Sequence, residues 1–306
     1  MTRSGIPREA AVATVRAAID AGITHLDTAY CYGEDGESEQ AIREALTAID
    51  PAARDSVVIA SKCGIHWEPD ADSDPPRRQA VDGRPERLRA EVEESLKRLG
   101  TAHVDLLYLH CPDPQVPIEE SAGELRRLLE EGKARAIGLS NTKLDLIKRF
   151  AAECPLSACQ LHFNMLQQEI EREILPWCRA SGVAMVAYWP LMKGLLAGTM
   201  HRGQAFPTSD SRHKYPVFQG EEFSRNLDFV DALRPIAGRL GVTVADLVLA
   251  WTAEQPGITS VLFGATNPAQ ATENALAIAC TLDDAAREAI TAAIIDRGPV
   301  PSGRQV

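Results

Sequence analysis

The sequence predicts an α/β protein folded as a TIM-type (β/α)8 barrel, and two observations lead there. Short, near-continuous apolar runs alternate with amphipathic stretches along the chain, as in parallel strands covered on the outside by helices. Asp27, Lys62 and His110 stand where three of these runs end, with Tyr32 just beyond the first. In a parallel barrel that rim carries the chemistry. A chain of 306 residues is the length of one such barrel, so 1–306 is expected to be a single domain.

The helices come in order. Residues 7–21 are amphipathic, with Pro7 at the start and Gly22 just past the end. Residues 38–48 form a second, with Ser38 as its cap. Residues 85–99 place Leu88, Val92, Leu96 and Leu99 at helical spacing and stop at Gly100; 117–131 repeat the form and stop at Gly132. Between and after them lie β-rich runs at 23–27, 57–61, 104–109, 135–139, 157–161, 183–188 and 258–262. These make seven strands, one fewer than a closed barrel of this kind needs. Two long loops, 63–83 and 191–222, carry clusters of Pro, Asp and Gly, and long irregular loops at a barrel rim cover ligands.

Composition narrows the function. The formal net charge of −11 argues against a nucleic-acid groove or an anionic membrane surface. Seven scattered Cys without a CxxC pair fit a reduced, cytoplasmic chain. The first apolar segment is interrupted by Arg16 and Asp20, unlike a signal peptide or anchor, and no apolar run is long enough to span a bilayer. No HExxH, no close Cys/His quartet and no GxGxxG after a strand occur, so neither a metal site nor a Rossmann nucleotide site is expected.

The four rim residues suit one reaction. Tyr32 is a weak acid that a neighbouring cation such as Lys62 pulls toward phenolate. Asp27 would hold that Lys in place and keep it charged, and His110 would donate a hydrogen bond to a carbonyl oxygen or relay a proton. Together they would polarise a C=O group and protonate the developing alkoxide. They include no Ser-His-Asp nucleophile, so the electrons must come from a partner, and hydride from a nicotinamide fits. Taken singly, Asp27 reads as a turn residue, Lys62 as a solvated rim lysine and His110 as a hydrogen-bonding side chain; the combination carries the argument. Cys31, Cys63 and Cys111 each neighbour one of the four, and side-chain alternation would turn them toward the helices.

At these residues the chain resembles the aldo-keto reductase family, from about residue 6 to 295. Gly22-Ile23-Thr24-His25-Leu26-Asp27-Thr28-Ala29 with Tyr32-Gly33 matches one family motif. Leu99-Gly100-Thr101 through Asp105-Leu106-Leu107-Tyr108-Leu109-His110-Cys111-Pro112-Asp113-Pro114 matches a second, and Gly132-Lys133-Ala134-Arg135-Ala136-Ile137-Gly138-Leu139-Ser140-Asn141 a third. The resemblance implies Tyr32 as proton donor, with Asp27, Lys62 and His110 as its partners, a small carbonyl compound as substrate and NADP as cofactor. It implies Ser140, Asn141 and Gln160 on the nicotinamide carboxamide and Tyr188 stacked on the ring. Pro190 and Leu191 would open the loop over the pyrophosphate. Gly264, Thr266, Gln270, Glu273 and Asn274 would lie at the adenosine end, where Asn267-Pro268 opening a helix would also aim free N–H groups at an anion.

The branch most similar includes the potassium-channel beta subunits. The second function to weigh is therefore an NADP-binding regulatory protein with little or no catalysis, and the third is a Schiff-base lyase using Lys62. Two departures stand out. The family's N-terminal hairpin and first barrel strand are missing before the opening helix, which accounts for the count of seven. Residues 264–274 contain no Lys or Arg to grip a 2′-phosphate, which leaves Arg202, Arg212 or Lys214 from the long loop to help Thr266, Asn267 and Gln270.

Overall fold

The computed structural model describes residues 6–47, 49–50, 54–72, 76–207 and 210–300. The chain divides into two compact units. The first comprises Met1–Leu161, Trp177–Ala184 and Gly264–Ala275; the second comprises His162–Pro176, Met185–Phe263 and Leu276–Val306.

In the first unit the strands β1 (His25–Asp27), β2 (Val58–Cys63), β5 (Leu106–Leu109), β6 (Ile137–Ser140) and β7 (Ala158–His162) lie side by side in that order, each parallel to the next. Their register sets Asp27 opposite Ala60, and Lys62 opposite Tyr108. The strands are buried almost throughout, which is why they read as apolar runs without alternation. Five helices belong to this part of the chain: α1 (Arg8–Asp20), α2 (Glu37–Thr47), α3 (Pro85–Leu99), α4 (Ile118–Glu130) and α5 (Leu144–Glu153). Helix α3 begins on Pro85 and ends where Gly100 takes a left-handed conformation, φ 67°. Ser38, expected as a cap, lies inside α2 instead, and its hydroxyl accepts from that of Thr28 at 2.8 Å. Tyr108 fills the centre between β5 and β6 because Gly138 has no side chain: a Cβ there would lie 2.3 Å from the Tyr108 ring.

The loop expected over 63–83 is corrected by the structure. Strands β3 (Ile65–Pro69) and β4 (Arg77–Val81) pair antiparallel, from Ile65 opposite Val81 to Pro69 opposite Arg77. Of the Pro and Asp residues that suggested irregular chain, Pro69, Asp70, Asp72 and Pro76 lie at the ends of the two strands or between them, and Asp74 and Pro75 lie outside the described residues. Pro69 sits at the end of its strand, a position where a missing N–H costs no ladder bond.

In the second unit β8 (Ala184–Tyr188), whose first residue still belongs to the first unit, pairs parallel with β9 (Ile258–Val261), with an irregularity between Met185 and Val186. Around them lie α7 (Gly220–Leu240) and α8 (Val244–Glu254). In chain order, α6 (Ile174–Ser181), divided between the two units at Trp177, precedes β8; α9 (Pro268–Leu276), in the first unit up to Ala275, follows β9; and α10 (Asp284–Arg297), in the second unit, is the last helix among the described residues. Phe163 stacks on Trp251 at 5.8 Å between centroids, and buried Arg297 donates to Asn226 at 2.9 Å, tying α10 to α7. The stretch 191–222 is held by short 3-10 turns at Met192–Ala197, Ser211–Lys214 and Pro216–Phe218.

Seven strands thus run parallel to a neighbour, matching the seven sequence runs within a few residues at each end. Among the described residues β1 is the first strand, and no strand pairs with its second edge.

Candidate active site

The site is built at the ends of β1, β2 and β5. Asp27 ends β1, Lys62 stands one residue before the end of β2, and His110 immediately follows β5. Tyr32 comes from the loop after β1. Gly33 makes that loop possible: it takes φ 88°, and a Cβ on it would lie 2.0 Å from Glu37 Oε2. The hairpin fixes the same loop from above, since Trp67 Nε1 donates to the carbonyl oxygens of Cys31 at 3.0 Å and Gly33 at 2.9 Å.

Lys62 is the centre of the arrangement, with only 2% of its surface exposed. Its ammonium makes a very short contact to Asp27 Oδ1. It donates to Thr28 O at 2.8 Å and to the Tyr32 hydroxyl at 3.4 Å. Burial pulls the Lys62 ammonium down, but the charges of Asp27 and Tyr32 and their hydrogen bonds outweigh it, so it stays protonated well into alkali. Asp27 Oδ2 in turn accepts from Gln160 Nε2 at 2.7 Å. The His110 ring meets Tyr32 edge-on at 5.7 Å.

Tyr32 departs from the expectation that Lys62 lowers its pKa. Burial is the larger influence, and it raises the phenol above its ordinary value against the pull of Lys62. At neutral pH the phenol therefore keeps its proton, the state a general acid needs before it acts.

The cysteines also depart from expectation. Cys31 and Cys111 do not turn toward the helices; they share a buried cluster with Ala29 and Ile65, against which Tyr32, Trp67 and Val81 pack. The reason is local. The strand ends at Asp27, so its two-residue alternation no longer governs Cys31. Cys31 Sγ lies 3.6 Å from His110 Nδ1.

The residues assigned to the carboxamide extend this network. Ser140 Oγ donates to Gln160 O at 2.9 Å, and Asn141 Nδ2 donates to His110 O at 2.9 Å. Gln160 thus has a role that sequence reading missed, as the second support of Asp27; its position in β7 opposite Ser140, the last residue of β6, was the available signal. In the segment after β9, Thr266 donates through N and Oγ1 to Gln270 Oε1 at 2.9 and 2.8 Å. Asn267 Oδ1 accepts from Gln270 N, and Gly264 and Glu273 are exposed with Asn274 half-buried.

The remaining assignments fall in the second unit. Tyr188 ends β8, with its ring edge-on to His162 at 6.1 Å and to Trp189 at 5.8 Å. Pro190 is buried and Leu191 half-buried. Arg212 is gripped by both oxygens of Asp210 and lies over the Phe206 ring at 4.5 Å. Arg202 is held by Asp228 and Asp231. Among the described residues four non-glycines have positive φ: Asn141 (52°), Trp189 (60°), Met192 (46°) and Lys193 (54°). Each is, or lies within two residues of, a residue assigned to the cofactor, and such backbone strain gathers where ligands bind.

One buried carboxylate supports the site from behind. Glu91 on α3 accepts from Gly64 N at 2.6 Å and from Arg87 Nε at 2.8 Å, with His66 Nδ1 at 3.5 Å. Burial pushes its carboxyl up to about 7, against those hydrogen bonds. A carboxyl raised on folding binds a proton more tightly in the folded chain. Its contribution is therefore most favourable below the unfolded pKa and is lost as pH rises to about 7, a change on the order of 3 kcal/mol. Thermal unfolding at pH 5 and pH 8 checks this: Glu91→Gln is expected to gain on wild type at pH 8 relative to pH 5. Parallel Tm–pH curves for the two proteins would contradict it.

Comparison with known proteins places this arrangement. The profile of the Aldo/keto reductase family matches residues 1–295. The chain is 37% identical over 267 residues to aldo-keto reductase YhdN of Bacillus subtilis (strain 168), covering 87% of this chain and 78% of that one. It is 34% identical over 286 residues to the NADH-specific methylglyoxal reductase of Escherichia coli (strain K12), covering 92% and 86%. Among solved structures it is similar to the glycerol dehydrogenase AKR11B4 from Gluconobacter oxydans, with TM-score 0.88 and 33% identity over 99% of this chain and 90% of that one. Its parallel strands and surrounding helices are those of the (β/α)8 barrel that these proteins share. Among the described residues no single helix is long and apolar enough to cross a membrane. On the match along nearly its whole length, the chain belongs to the aldo-keto reductase family and is an oxidoreductase.

Proposed function

We propose that this protein reduces aldehydes or ketones to alcohols with NADPH, with Tyr32 as the general acid. The observation that carries the reading is the buried Lys62 ammonium, bonded at once to the Asp27 carboxylate and the Tyr32 phenol. A nicotinamide, when bound, supplies hydride to the carbonyl carbon. The chain's own residues handle the oxygen. His110 donates a hydrogen bond to it, and Tyr32 Oη passes its proton to the developing alkoxide. Lys62 stabilises the phenolate left behind, and Asp27, braced by Gln160, keeps Lys62 charged and aimed. The half-buried Tyr32 ring, tucked under the hairpin, limits water at the oxygen that must be protonated.

The chemistry of the remaining donors suits the cofactor. A carboxamide needs both donors and acceptors, which Ser140, Asn141 and Gln160 provide side by side on neighbouring strands. The α9 N-terminus beside Thr266 and Asn267 suits an anionic group. Purified protein, NADPH and a panel of aldehydes and ketones, followed at the cofactor absorbance, test the reading. Oxidation of NADPH that depends on the carbonyl compound is expected.

A second reading, NADH in place of NADPH, has a specific observation in its favour. Arg212 and Arg202 are both held by carboxylates, and residues 264–274 carry no cation. Fluorescence titration separates the two. NADPH is expected to bind more tightly than NADH, and Arg212→Ala and Lys214→Ala to weaken NADPH more than NADH. Equal curves, or tighter NADH, would assign the second reading.

A further inference from the structure

Cys31 is absent from the scheme above, yet its thiol stands beside Nδ1 of the His110 ring. Sγ and Nδ1 are 3.6 Å apart, within the range of a hydrogen bond involving sulfur. Both side chains are confined, with Cys31 2% and His110 9% exposed. Neither can readily turn away. Trp67 holds the Cys31 carbonyl, and Cys31 packs with Ala29, Ile65 and Cys111. The His110 backbone is fixed at both ends, since its N donates to Cys63 O at 2.8 Å and its O accepts from Asn141.

We propose that Cys31 is a positioning residue for His110: its S–H donates to Nδ1 and holds the imidazole as the tautomer that carries its proton on Nε2. This rests on the reading that His110 donates a hydrogen bond to the carbonyl oxygen. A neutral imidazole has one donor and one acceptor nitrogen, and whatever bonds the first decides what the second offers. The direction of the bond follows from the partners. A ring nitrogen is a good acceptor and sulfur a poor one, so S–H to nitrogen is favoured over N–H to sulfur. The thiol is available as a donor, because burial pushes it up to about 12 despite the opposing charge of Lys62. With Nδ1 occupied as acceptor, the proton of the neutral ring stands on Nε2, the donor that the proposed reaction uses. In the other tautomer the nitrogen facing substrate would be a lone pair, which repels a carbonyl oxygen.

The test combines a spectroscopic signature with kinetics. Nitrogen-15 NMR of the protein without substrate, with His110→Asn used to identify the ring signals, reads the tautomer directly. Wild type is expected to show His110 protonated at Nε2 and accepting at Nδ1. Cys31→Ala is expected to show a mixture of tautomers, with kcat about tenfold lower and cofactor Kd unchanged. Cys31→Ser keeps a donor and is expected to restore both the tautomer and most of the turnover. A His110 protonated at Nδ1 in wild type, or Cys31→Ala with the wild-type tautomer and kcat, overturns the proposal. If wild type reduces no carbonyl compound but shows the Nε2–H form, and Cys31→Ala loses it, the hydrogen bond stands and the reading of the reaction fails.

Discussion

Tyr32→Phe is expected to lower kcat for carbonyl reduction by about a thousandfold, within the range for loss of a general acid, while leaving cofactor affinity nearly unchanged. The substitution removes one hydroxyl and keeps the ring that packs against His110 and the hairpin cluster. In the proposed reaction the proton from that hydroxyl is needed as negative charge develops on the substrate oxygen, so its loss would fall on the transition state and not on binding. Steady-state kinetics with a reduced substrate class, together with cofactor titration, measure the two effects separately. Turnover within tenfold of wild type would remove Tyr32 from the role.

Lys62→Met is expected to damage both activity and stability. The lysine is almost wholly enclosed and balances the Asp27 carboxylate, whose side chain is 12% exposed, so its removal strands a largely enclosed charge beside Gln160. Breaking a buried pair from one side costs about 3–5 kcal/mol. Activity should fall at least about a hundredfold, because the phenolate formed from Tyr32 loses its stabilising cation. The double variant Asp27→Asn/Lys62→Met separates the effects: removing the stranded charge is expected to recover much of the stability and none of the turnover. Denaturant unfolding of the single and double variants provides the numbers. A single variant as stable as wild type would mean that Lys62 and Asp27 do not depend on each other as described.

The backbone of this fold was legible because parallel strands covered on both faces leave a strong trace: within the runs at 104–109 and 135–139, residues 106–109 and 136–139 carry no charged side chain. Strand ends were legible for the same reason, since polarity returns abruptly at Asp27, Lys62 and His110. The β3–β4 hairpin was not, because its residues Ile65 to Val81 include Pro69, Pro76 and several charges that suggest a loop, and an exposed two-stranded ribbon needs no apolar run. Residue type and position brought Asp27, Tyr32, Lys62 and His110 together. The direction of the Tyr32 pKa depended on how deeply the phenol is enclosed, which the residue order does not reveal. Cys31 was misplaced because strand alternation was extended beyond the point where β1 ends. The carboxylates holding Arg212 and Arg202 lie within two residues in one case and about thirty in the other; only the first lay close enough in the chain to be noticed.

The central claim is that Tyr32, Lys62, Asp27 and His110 deliver a proton to a carbonyl oxygen while a nicotinamide delivers hydride to its carbon. The most direct measurement uses NADPH carrying deuterium at the transferred position of the nicotinamide C4, incubated with the protein and a carbonyl substrate in ordinary water. The expected product is an alcohol with one deuterium on the former carbonyl carbon and a hydroxyl proton from solvent, formed by wild type and about a thousandfold more slowly by Tyr32→Phe. An alcohol whose new C–H hydrogen comes from water, or equal product from the Tyr32→Phe variant, would contradict it.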